Sequence, residues 1–356
     1  MQKSNPLSST ISALSLLLFL TTAFSTGCGS DTPTQPEDRN PLVDSLPIDS
    51  RQFKIGTAGF VPQNWPNPAT SDWEALYASL PEYGELFGVH VGWDVGLSSQ
   101  KVPEQVDLAY SVTAKIETAP YIALGFEPDA MTQSEADNYF QVNGQAFEEV
   151  AVAIAAKHKP EILLLGVESN RFWEKSASGF ADFVQRYRQT YDAVKAVSPS
   201  TKIGTNFQYE YMLGEAKRAG SHAEHLFLID SFAGKLDLIT ITLYPWFDYD
   251  RPIAIPSNYF APIREHTSAP LMITETGWPT KNFPHPTVVA TEDAQIEYLR
   301  HLLEITKGEN VEALIWAFPN DPNSGIAGGV FDAISLRSNS GDLKGAWDWW
   351  SALRQL

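Results

Sequence analysis

From Gln52 onward the chain alternates short apolar runs with longer amphipathic stretches. The apolar runs have the length and character of strands that are buried on both faces. The stretches between them carry apolar residues at helical spacing. The pattern therefore predicts alternating strands and helices, with the strands in eight segments: 53–58, 86–93, 120–126, 161–168, 202–207, 236–244, 270–276 and 311–318.

Several predicted helices begin at residues that favour capping. Ser71 is expected to cap the helix in SDWEALYASL, and Thr132 and Glu135 have the spacing of a capping box. Thr291 precedes acidic residues in the first turn of another predicted helix. Apolar residues at helical spacing also predict a helix in FADFVQRYRQTYDAVKAV, and the closing AWDWWSALRQL is a further predicted helix.

Strands that alternate with helices favour a parallel sheet joined by crossover helices. Eight repeats over roughly 300 residues match the count and size of a barrel of eight strands and eight helices. An open doubly wound sheet is the alternative, and it usually carries a Gly-rich phosphate loop after its first strand. This chain has GTAGF there and no GxGxxG. The sequence therefore predicts an α/β protein, a single-domain (β/α)8 TIM barrel over residues 52–356.

The N-terminus predicts an exported protein. Residues 1–27 combine Lys3, an apolar run and small residues, as a secretory signal peptide does, and the run is too short to span a membrane. The stretch FSTGC resembles the lipobox of bacterial lipoproteins, which implies a lipid on Cys28. Residues 28–51 would then be the lipidated cysteine and a flexible tether rich in Pro, Asp and Ser. Plain secretion with a spare thiol is the alternative.

Composition narrows the range of partners. The formal net charge is −18, and because phosphate binding requires a basic surface, nucleic acid is not expected as a partner. The charge is compatible with a neutral substrate. Cys28 is the single cysteine, so an internal disulfide is impossible.

Two of the predicted strands lead into a glutamate. The run ILLLGV ends at Glu168, and LMIT ends at Glu275. The C-terminal ends of barrel strands form the active-site face, so both carboxylates are expected in one pocket. Cleavage of a glycosidic bond usually requires two carboxyl groups, one that donates a proton and one that attacks the sugar or activates water. The pair therefore indicates glycosidase chemistry.

The two segments also resemble a known group of enzymes. Glutamates on strands four and seven are typical of glycoside hydrolase clan A, the retaining (β/α)8 glycosidases. ITETGWPT resembles the nucleophile motif of endo-β-1,3-glucanases, LGVESNRFW is similar in layout to the acid/base segment of endo-β-1,4-galactanases, and LRSNSGDLKGAWDWW looks like the ends of such enzymes. The resemblance implies that Glu168 is the acid/base and that Glu275 is the nucleophile.

One position departs from the clan. An asparagine normally precedes the acid/base and contacts the sugar 2-hydroxyl, whereas this chain has Val167. Asn206, at the end of the fifth predicted strand, is the candidate that would supply this hydrogen bond. Tyr244, at the end of the sixth, matches a clan position whose hydroxyl supports the nucleophile.

Other side chains at strand ends are candidates for substrate binding. Trp316 on the eighth predicted strand could form a floor beneath the sugar, because an aromatic face packs on the C–H face of a pyranose. Glu127 and Glu210 could bind hydroxyls or replace Glu168 as the acid. Core packing explains each aromatic residue equally well. The candidates that could line neighbouring subsites are Trp278, Trp246 and Trp93.

Two further motifs do not predict a metal site. HAEH at residues 222–225 differs from HExxH and is expected on a solvated helix face. NDPNSG near Asp321 lacks the spacing of a calcium loop and is expected to be a turn. The predicted chemistry requires neither a cofactor nor a metal.

The sequence thus predicts a retaining β-glycoside hydrolase, endo-acting on a β-linked polysaccharide such as β-1,3-glucan or β-1,4-galactan. The expected partners are this glycan and, through Cys28, a membrane surface, and the expected state is a monomer in the cell envelope. A non-catalytic glycan-binding lipoprotein on the same barrel is one alternative, favoured by Val167. A transglycosylase that uses the same site is the other.

Overall fold

The structure, a computed structural model, describes residues 40–356 with the exception of residues 216, 219, 221 and 282. Its centre is a closed barrel of eight parallel strands that pair in chain order, with the eighth strand beside the first. The predicted (β/α)8 fold is therefore confirmed. The strands are β1 Lys54–Ala58, β2 Leu86–Gly92, β3 Ala119–Gly125, β4 Ile162–Leu165, β5 Lys202–Gln208, β6 Leu238–Leu243, β7 Leu271–Thr276 and β8 Val311–Ala317.

Helices surround the barrel. They are α1 Thr70–Tyr83, α2 Glu104–Thr113, α3 Gln133–His158, α4 Ser169–Lys175, α5 Ala177–Val197, α6 Tyr209–Met212, α7 Ala261–Arg264, α8 Glu292–Ile305 and α9 Ala346–Arg354.

The predicted caps are confirmed at two helices and wrong at one. Thr132 and Glu135 form the capping box of α3, and Thr291 accepts the backbone N–H of Ala294 at the start of α8. Ser71, however, lies inside the first turn of α1. There Ala69 is the N-cap and the carboxylate of Asp72 accepts its N–H, so the helix begins two residues earlier than the serine indicated.

Alternating strand residues divide the core into two parts. Residues that face the helices form the larger apolar cluster, which holds all of the outer aromatic packing. Residues that face inward form a smaller cluster that fills the barrel, as in other barrels of this size. Its members are Ala58, Leu86, Tyr121, Ala123, Ile162, Leu164, Leu238, Met272, Ala313 and Ile315.

The N-terminal ends of the strands carry ion pairs between distant parts of the barrel. Lys54 on β1 pairs with Glu161 just before β4, and Lys202 on β5 pairs with Glu312 on β8 at 2.5 Å. The candidate functional residues lie at the opposite end, where the strands terminate.

The segment 40–51 packs against the barrel. Val43 and Leu46 are buried, and Asn40 donates its side-chain N–H to the Asp348 carbonyl in α9. The prediction that the flexible tether extends to residue 51 is wrong for these residues, because their apolar side chains are covered by the barrel. The predicted signal peptide and Cys28 lie outside the described residues.

Across the described part of the chain, 40–356 with its four gaps, no helix has the length and apolar character needed to cross a membrane.

Candidate active site

The sequence predicted Glu168 as the last residue of the fourth strand. In the structure Glu168 lies three residues beyond the end of β4. The strand stops at Leu165, and Gly166 follows with a φ of 101°, which only glycine adopts readily. Glu168 itself has a φ of 46° and a ψ of 46° and precedes α4. A left-handed non-glycine residue costs about 1–3 kcal/mol and persists where its surroundings hold it. This turn carries the carboxylate from the strand end to the mouth of the barrel.

Asn206 on β5 holds this turn in place. Its side-chain Oδ1 accepts the backbone N–H of Glu168 at 2.8 Å, and its Nδ2 donates to Oγ1 of Thr274 at 2.8 Å. The side chain is almost completely buried, at 1% exposed. Both ends of the amide are used inside the protein, so the prediction that Asn206 contacts the substrate is wrong. It positions Glu168 instead.

Val167 offers no polar contact at the position where the clan has asparagine. Its side chain packs against the apolar cluster inside the barrel, beside Gly125 of β3.

A bulge between β6 and β7 turns Glu275 toward the barrel interior. Ile241 pairs with Ile273, whereas the next residue, Thr242, pairs with Glu275, so Thr274 has no partner in the register. A bulge reorients the side chains that follow it. As a result, the consecutive residues Thr274 and Glu275 both make contacts on the inner face of the barrel. Thr274 contacts Asn206, and Glu275 contacts the residues described next.

The carboxylate of Glu275 is held by two partners. Tyr244, directly after β6, donates its hydroxyl to Oε2 at 2.8 Å, and His90 on β2 places Nδ1 3.0 Å from Oε1. Nε2 of His90 lies 2.9 Å from the Tyr121 hydroxyl, which donates to the Thr274 carbonyl at 3.0 Å. Tyr244 therefore lies where the sequence predicted.

Gly88 makes room for this arrangement. A Cβ at Gly88 would lie 2.4 Å from the Tyr121 hydroxyl, a distance that the tyrosine could not tolerate.

The carboxylate of Glu168 also has two partners. Thr242 donates its hydroxyl to Oε1 at 2.9 Å, and Arg171 in α4 places Nη1 3.4 Å from Oε2. Thr242 is thus bonded to one glutamate and paired across the sheet with the other, Glu275. The two predicted carboxylates share one site at the C-terminal end of the barrel.

The surroundings give Glu168 the character of an acid. Burial raises the pKa of its carboxyl, and the charge of Glu275 raises it further, while Arg171 and the hydrogen bond from Thr242 act in the opposite direction. Burial also raises the pKa of Tyr244, so its hydroxyl stays protonated and donates to Glu275.

Glu127 follows β3 and precedes a short 3-10 helix over Pro128–Ala130. Burial raises the pKa of its carboxyl, and the charges of Asp129 and Glu168 raise it further. Glu127 therefore interacts electrostatically with Glu168.

Glu210 is completely buried behind the site. Its Oε1 accepts the backbone N–H of Tyr244 and the hydroxyl of Tyr259, and its Oε2 accepts from Gln208. Burial raises its pKa to about 7. It supports Tyr244 from below and does not reach the pocket.

The tryptophans predicted to line the pocket belong to the core. Trp316 faces outward from β8, donates its indole N–H to the Ile334 carbonyl and packs against Trp350 of α9, so the predicted sugar floor is wrong. The reason is strand parity: Ala313 and Ile315 of the same strand face the interior, so Trp316 faces the helices. Three others are also buried: Trp278 against Tyr298, Trp246 against Tyr244, and Trp93 against Tyr139, so direct subsite roles are not supported.

Two phenylalanines near the end of β8 lie beside Tyr244. Phe318 follows β8 with a φ of 54° and donates its N–H to the Ala58 carbonyl. Its ring lies 6.4 Å from that of Phe331, which lies 5.2 Å from that of Tyr244. Both are only partly buried. A bulky residue with positive φ at a strand end is the signal of a functional position, but the sequence does not reveal φ.

His90, Thr242 and Arg171 are the other residues that the sequence analysis missed. Of these, His90 had a detectable signal, because FGVHVGW places one ionisable residue inside an apolar strand pattern.

The HAEH segment is not on a helix, contrary to the prediction. His225 is fully buried, with Nδ1 2.6 Å from the Ala223 carbonyl and Nε2 3.1 Å from Asn170. His222 stacks on Tyr211, with ring centroids 3.8 Å apart. Within the described residues there is no group of side chains suited to hold a metal ion.

The predicted turn near Asp321 includes a buried ion pair. The carboxylate of Asp321 lies 2.7 Å from Nζ of Lys344 and accepts the N–H of Ser335. This contact ties the segment after β8 to the start of α9.

Comparison of the sequence with protein-family models and with curated proteins finds no match. The fold, in contrast, matches many solved structures. One is an active-site mutant of a β-1,3-glucanosyltransferase from Rhizomucor miehei in complex with laminaritriose, at 16% identity and a TM-score of 0.56, covering 82% of this chain and 96% of that one.

Two further matches are a fungal β-1,4-galactanase and a GH53 catalytic domain. The fungal β-1,4-galactanase is 13% identical with a TM-score of 0.53, over 76% of this chain and 88% of its own. The GH53 catalytic domain of Ignisphaera aggregans is 16% identical with a TM-score of 0.51, over 90% of this chain and 98% of its own. At these identities the likeness shows the shared (β/α)8 fold.

Proposed function

We propose that this protein is a retaining β-glycoside hydrolase. The observation that carries the proposal is that Thr242 hydrogen-bonds the carboxylate of Glu168 and is the register partner of Glu275, so that both glutamates lie at the C-terminal mouth of the barrel. The two carboxylates have different surroundings, which is how a site assigns acid and nucleophile roles to two chemically equal groups. The fold shared with glycoside-cleaving enzymes supports the same conclusion.

In the first step Glu168 donates its proton to the leaving glycosidic oxygen. Burial and the nearby charge of Glu275 keep that proton on Glu168 before the substrate reacts. The ionised Glu275, held by Tyr244 and His90, attacks the anomeric carbon, and the glycosidic C–O bond breaks as an ester to the sugar forms.

In the second step Glu168 acts as a base. It takes a proton from a water molecule, whose oxygen attacks the anomeric carbon and releases Glu275. Two inversions at one carbon return the β configuration. Arg171 and Thr242 stabilise the ionised carboxylate of Glu168 that exists between the two steps.

The proposed substrate is a β-linked polysaccharide, either β-1,3-glucan or β-1,4-galactan. The glucanosyltransferase and galactanase structures that share the fold support these two linkages equally. Phe318 and Phe331, partly exposed beside Tyr244, offer the apolar surface that a pyranose C–H face requires.

The proposal is tested by reducing-sugar release from β-1,3-glucan, β-1,4-galactan and β-mannan, using the full chain. Glu168→Gln and Glu275→Gln should each abolish release from the polymer that the wild type cleaves. Glu297→Gln, an exposed position on α8, is the matched control and should cleave as the wild type does. Equal activity in Glu275→Gln would overturn the proposal.

Transglycosylation is the second candidate, supported by the glucanosyltransferase structures that share the fold. It uses the same ester and differs in the acceptor that resolves it. Products longer than the starting oligosaccharide would identify it. Binding of a polymer without any cleavage would instead favour the non-catalytic glycan-binding alternative that Val167 suggests.

We further propose that the chain is an envelope lipoprotein anchored through Cys28 and that it acts as a monomer. The lipobox-like FSTGC supports the anchor. Cys28→Ser should move the protein from the membrane fraction to the soluble fraction of expressing cells. Membrane association that persists in this variant would contradict the anchor.

A further inference from the structure

Arg171 lies between two carboxylates on the side of Glu168 away from Thr242. Its Nη1 is 3.4 Å from Oε2 of Glu168, while its Nη2 makes a short contact to Oδ2 of Asp129. Asp129 belongs to the loop after β3, and Arg171 to the first turn of α4. One guanidinium is therefore shared, and Asp129 has the closer contact.

We propose that Asp129 is a positioning residue that restrains Arg171, so that Glu168 keeps its proton for the leaving oxygen and then finds a cation close by once the proton has gone. The inference rests on the proposed acid/base function of Glu168 and adds a two-residue device that controls it.

The physical reason is the opposition between burial and Arg171. Burial favours the protonated form of Glu168, whereas a guanidinium at full contact favours the carboxylate form. A contact of 3.4 Å is at the long end for a charge-assisted hydrogen bond, which is commonly 2.7–2.9 Å. Asp129 thus weakens the interaction that would otherwise remove the proton before the substrate is bound.

Arg171 is fixed on its remaining side by Tyr211 of α6. The guanidinium carbon lies 5.5 Å from the centre of the tyrosine ring, and His222 stacks on that ring. Cation–π contact of this kind attracts the guanidinium to the face of the ring. The arginine therefore has three partners that set its place: Glu168, Asp129 and Tyr211.

Besides Tyr211, the other charged or titratable groups near the pair are Glu127, Glu275 and Tyr244. Glu127 adds a third carboxylate around the single guanidinium, and its pKa is raised by burial and by Asp129 and Glu168. Glu275 acts on Glu168 from β7. Several carboxylates thus lie around one guanidinium, and Glu168 is the member that donates to the glycosidic oxygen in the proposed reaction.

The test compares two neutralising variants that should shift the pH profile in opposite directions. In Asp129→Asn, Arg171 is free to pair fully with Glu168, so the alkaline limb of kcat/KM should move to lower pH by about one pH unit. In Arg171→Gln that limb should move to higher pH by a similar amount. Arg171→Lys should restore most of the wild-type profile.

The double variant makes the test sharper. If Asp129 acts through Arg171, Asp129→Asn combined with Arg171→Gln should behave like Arg171→Gln alone. Asp192→Asn, which removes the carboxylate that pairs with Lys235 at an exposed site, is the control and should leave the profile unchanged. Limbs that do not move, or that move in the same direction in both single variants, would overturn the inference.

A measurement that needs no activity separates this inference from the proposed function. In protein labelled with 13C at the glutamate carboxyls, the Glu168 signal is identified by its absence in Glu168→Gln. Its titration midpoint should fall in Asp129→Asn and rise in Arg171→Gln. Opposite shifts without cleavage of any polymer would support the pair and contradict the hydrolase, whereas an unchanged midpoint would contradict the pair.

Discussion

The hydroxyl of Tyr244 donates to Oε2 of Glu275 at 2.8 Å, and the backbone N–H of the same tyrosine donates to the buried carboxylate of Glu210 at 3.0 Å. Tyr244 thus connects the proposed nucleophile to a second acid that has no access to the pocket. Tyr244 therefore contacts the proposed nucleophile directly and is itself held in place by Glu210.

Tyr244→Phe should lower kcat by roughly tenfold to a hundredfold, because a hydrogen bond to a charged group contributes about 1.5–3 kcal/mol. The phenylalanine keeps the ring contacts to Trp246 and Phe331, so thermal unfolding should change little. Steady-state kinetics and a melting curve of the same preparation check both expectations. A kcat equal to that of the wild type would show that the hydroxyl does not support Glu275.

Asn206→Ala should reduce both stability and activity. It leaves the Glu168 N–H without its acceptor in a buried place, which costs about 1–3 kcal/mol, and it releases the left-handed turn that aims the carboxylate. Asn206→Asp is the matched variant, because it retains the acceptor oxygen. The free energy of unfolding, measured in urea, and kcat should both fall further for alanine than for aspartate. The opposite order would contradict the positioning role.

Trp316→Ala should lower the free energy of unfolding by about 3–5 kcal/mol, as expected for a large aromatic residue removed from a core. The cause is the loss of packing against Trp350 and of the indole hydrogen bond to Ile334. Phe318→Ala should instead lower kcat/KM by roughly tenfold, about 1.4 kcal/mol, with a smaller effect on unfolding. Denaturation and kinetics of the two variants distinguish a core residue from a pocket residue.

Glu210 should make stability depend on pH between about 4.5 and 7. Burial raises its pKa from 4.5 to about 7, so over this range the folded protein holds a proton that the unfolded chain has released. Stability therefore falls as pH rises, by about 3 kcal/mol in total. Glu210→Gln should lack this component. Unfolding free energies of both proteins at pH 5 and pH 7.5 check it, and parallel pH dependences would refute it.

The fold was predictable because the same strand and helix pattern recurs along the chain. Eight apolar runs separated by helical stretches leave few alternatives, and each strand of the barrel lies within one of the predicted runs apart from small end differences. The exact ends of the strands were harder to predict. Gly166 and Val167 continue the apolar run of β4, yet Gly166 permits the left-handed turn that ends the strand before Glu168.

The candidate site was predictable where a single polar or ionisable side chain ends an apolar run, as at Glu168, Glu275 and Tyr244. Trp316 was misplaced because β8 is buried on both faces, so alternation cannot show which side chains face inward. The bulge at Thr274 changes the same parity in β7, and only the three-dimensional register reveals it. Arg171 and Thr242 became visible through contacts between distant segments.

The central claim, that Glu275 forms an ester with the sugar, can be measured directly by mass spectrometry. The full chain is incubated with 2-deoxy-2-fluoro-β-glucosyl and β-galactosyl fluorides, which slow the release of such an ester, and is then digested. One added fluorosugar is expected on the peptide that contains Glu275, and none in Glu275→Gln. A fluorosugar on another residue, or turnover of the fluoride with no adduct at any time, would contradict it.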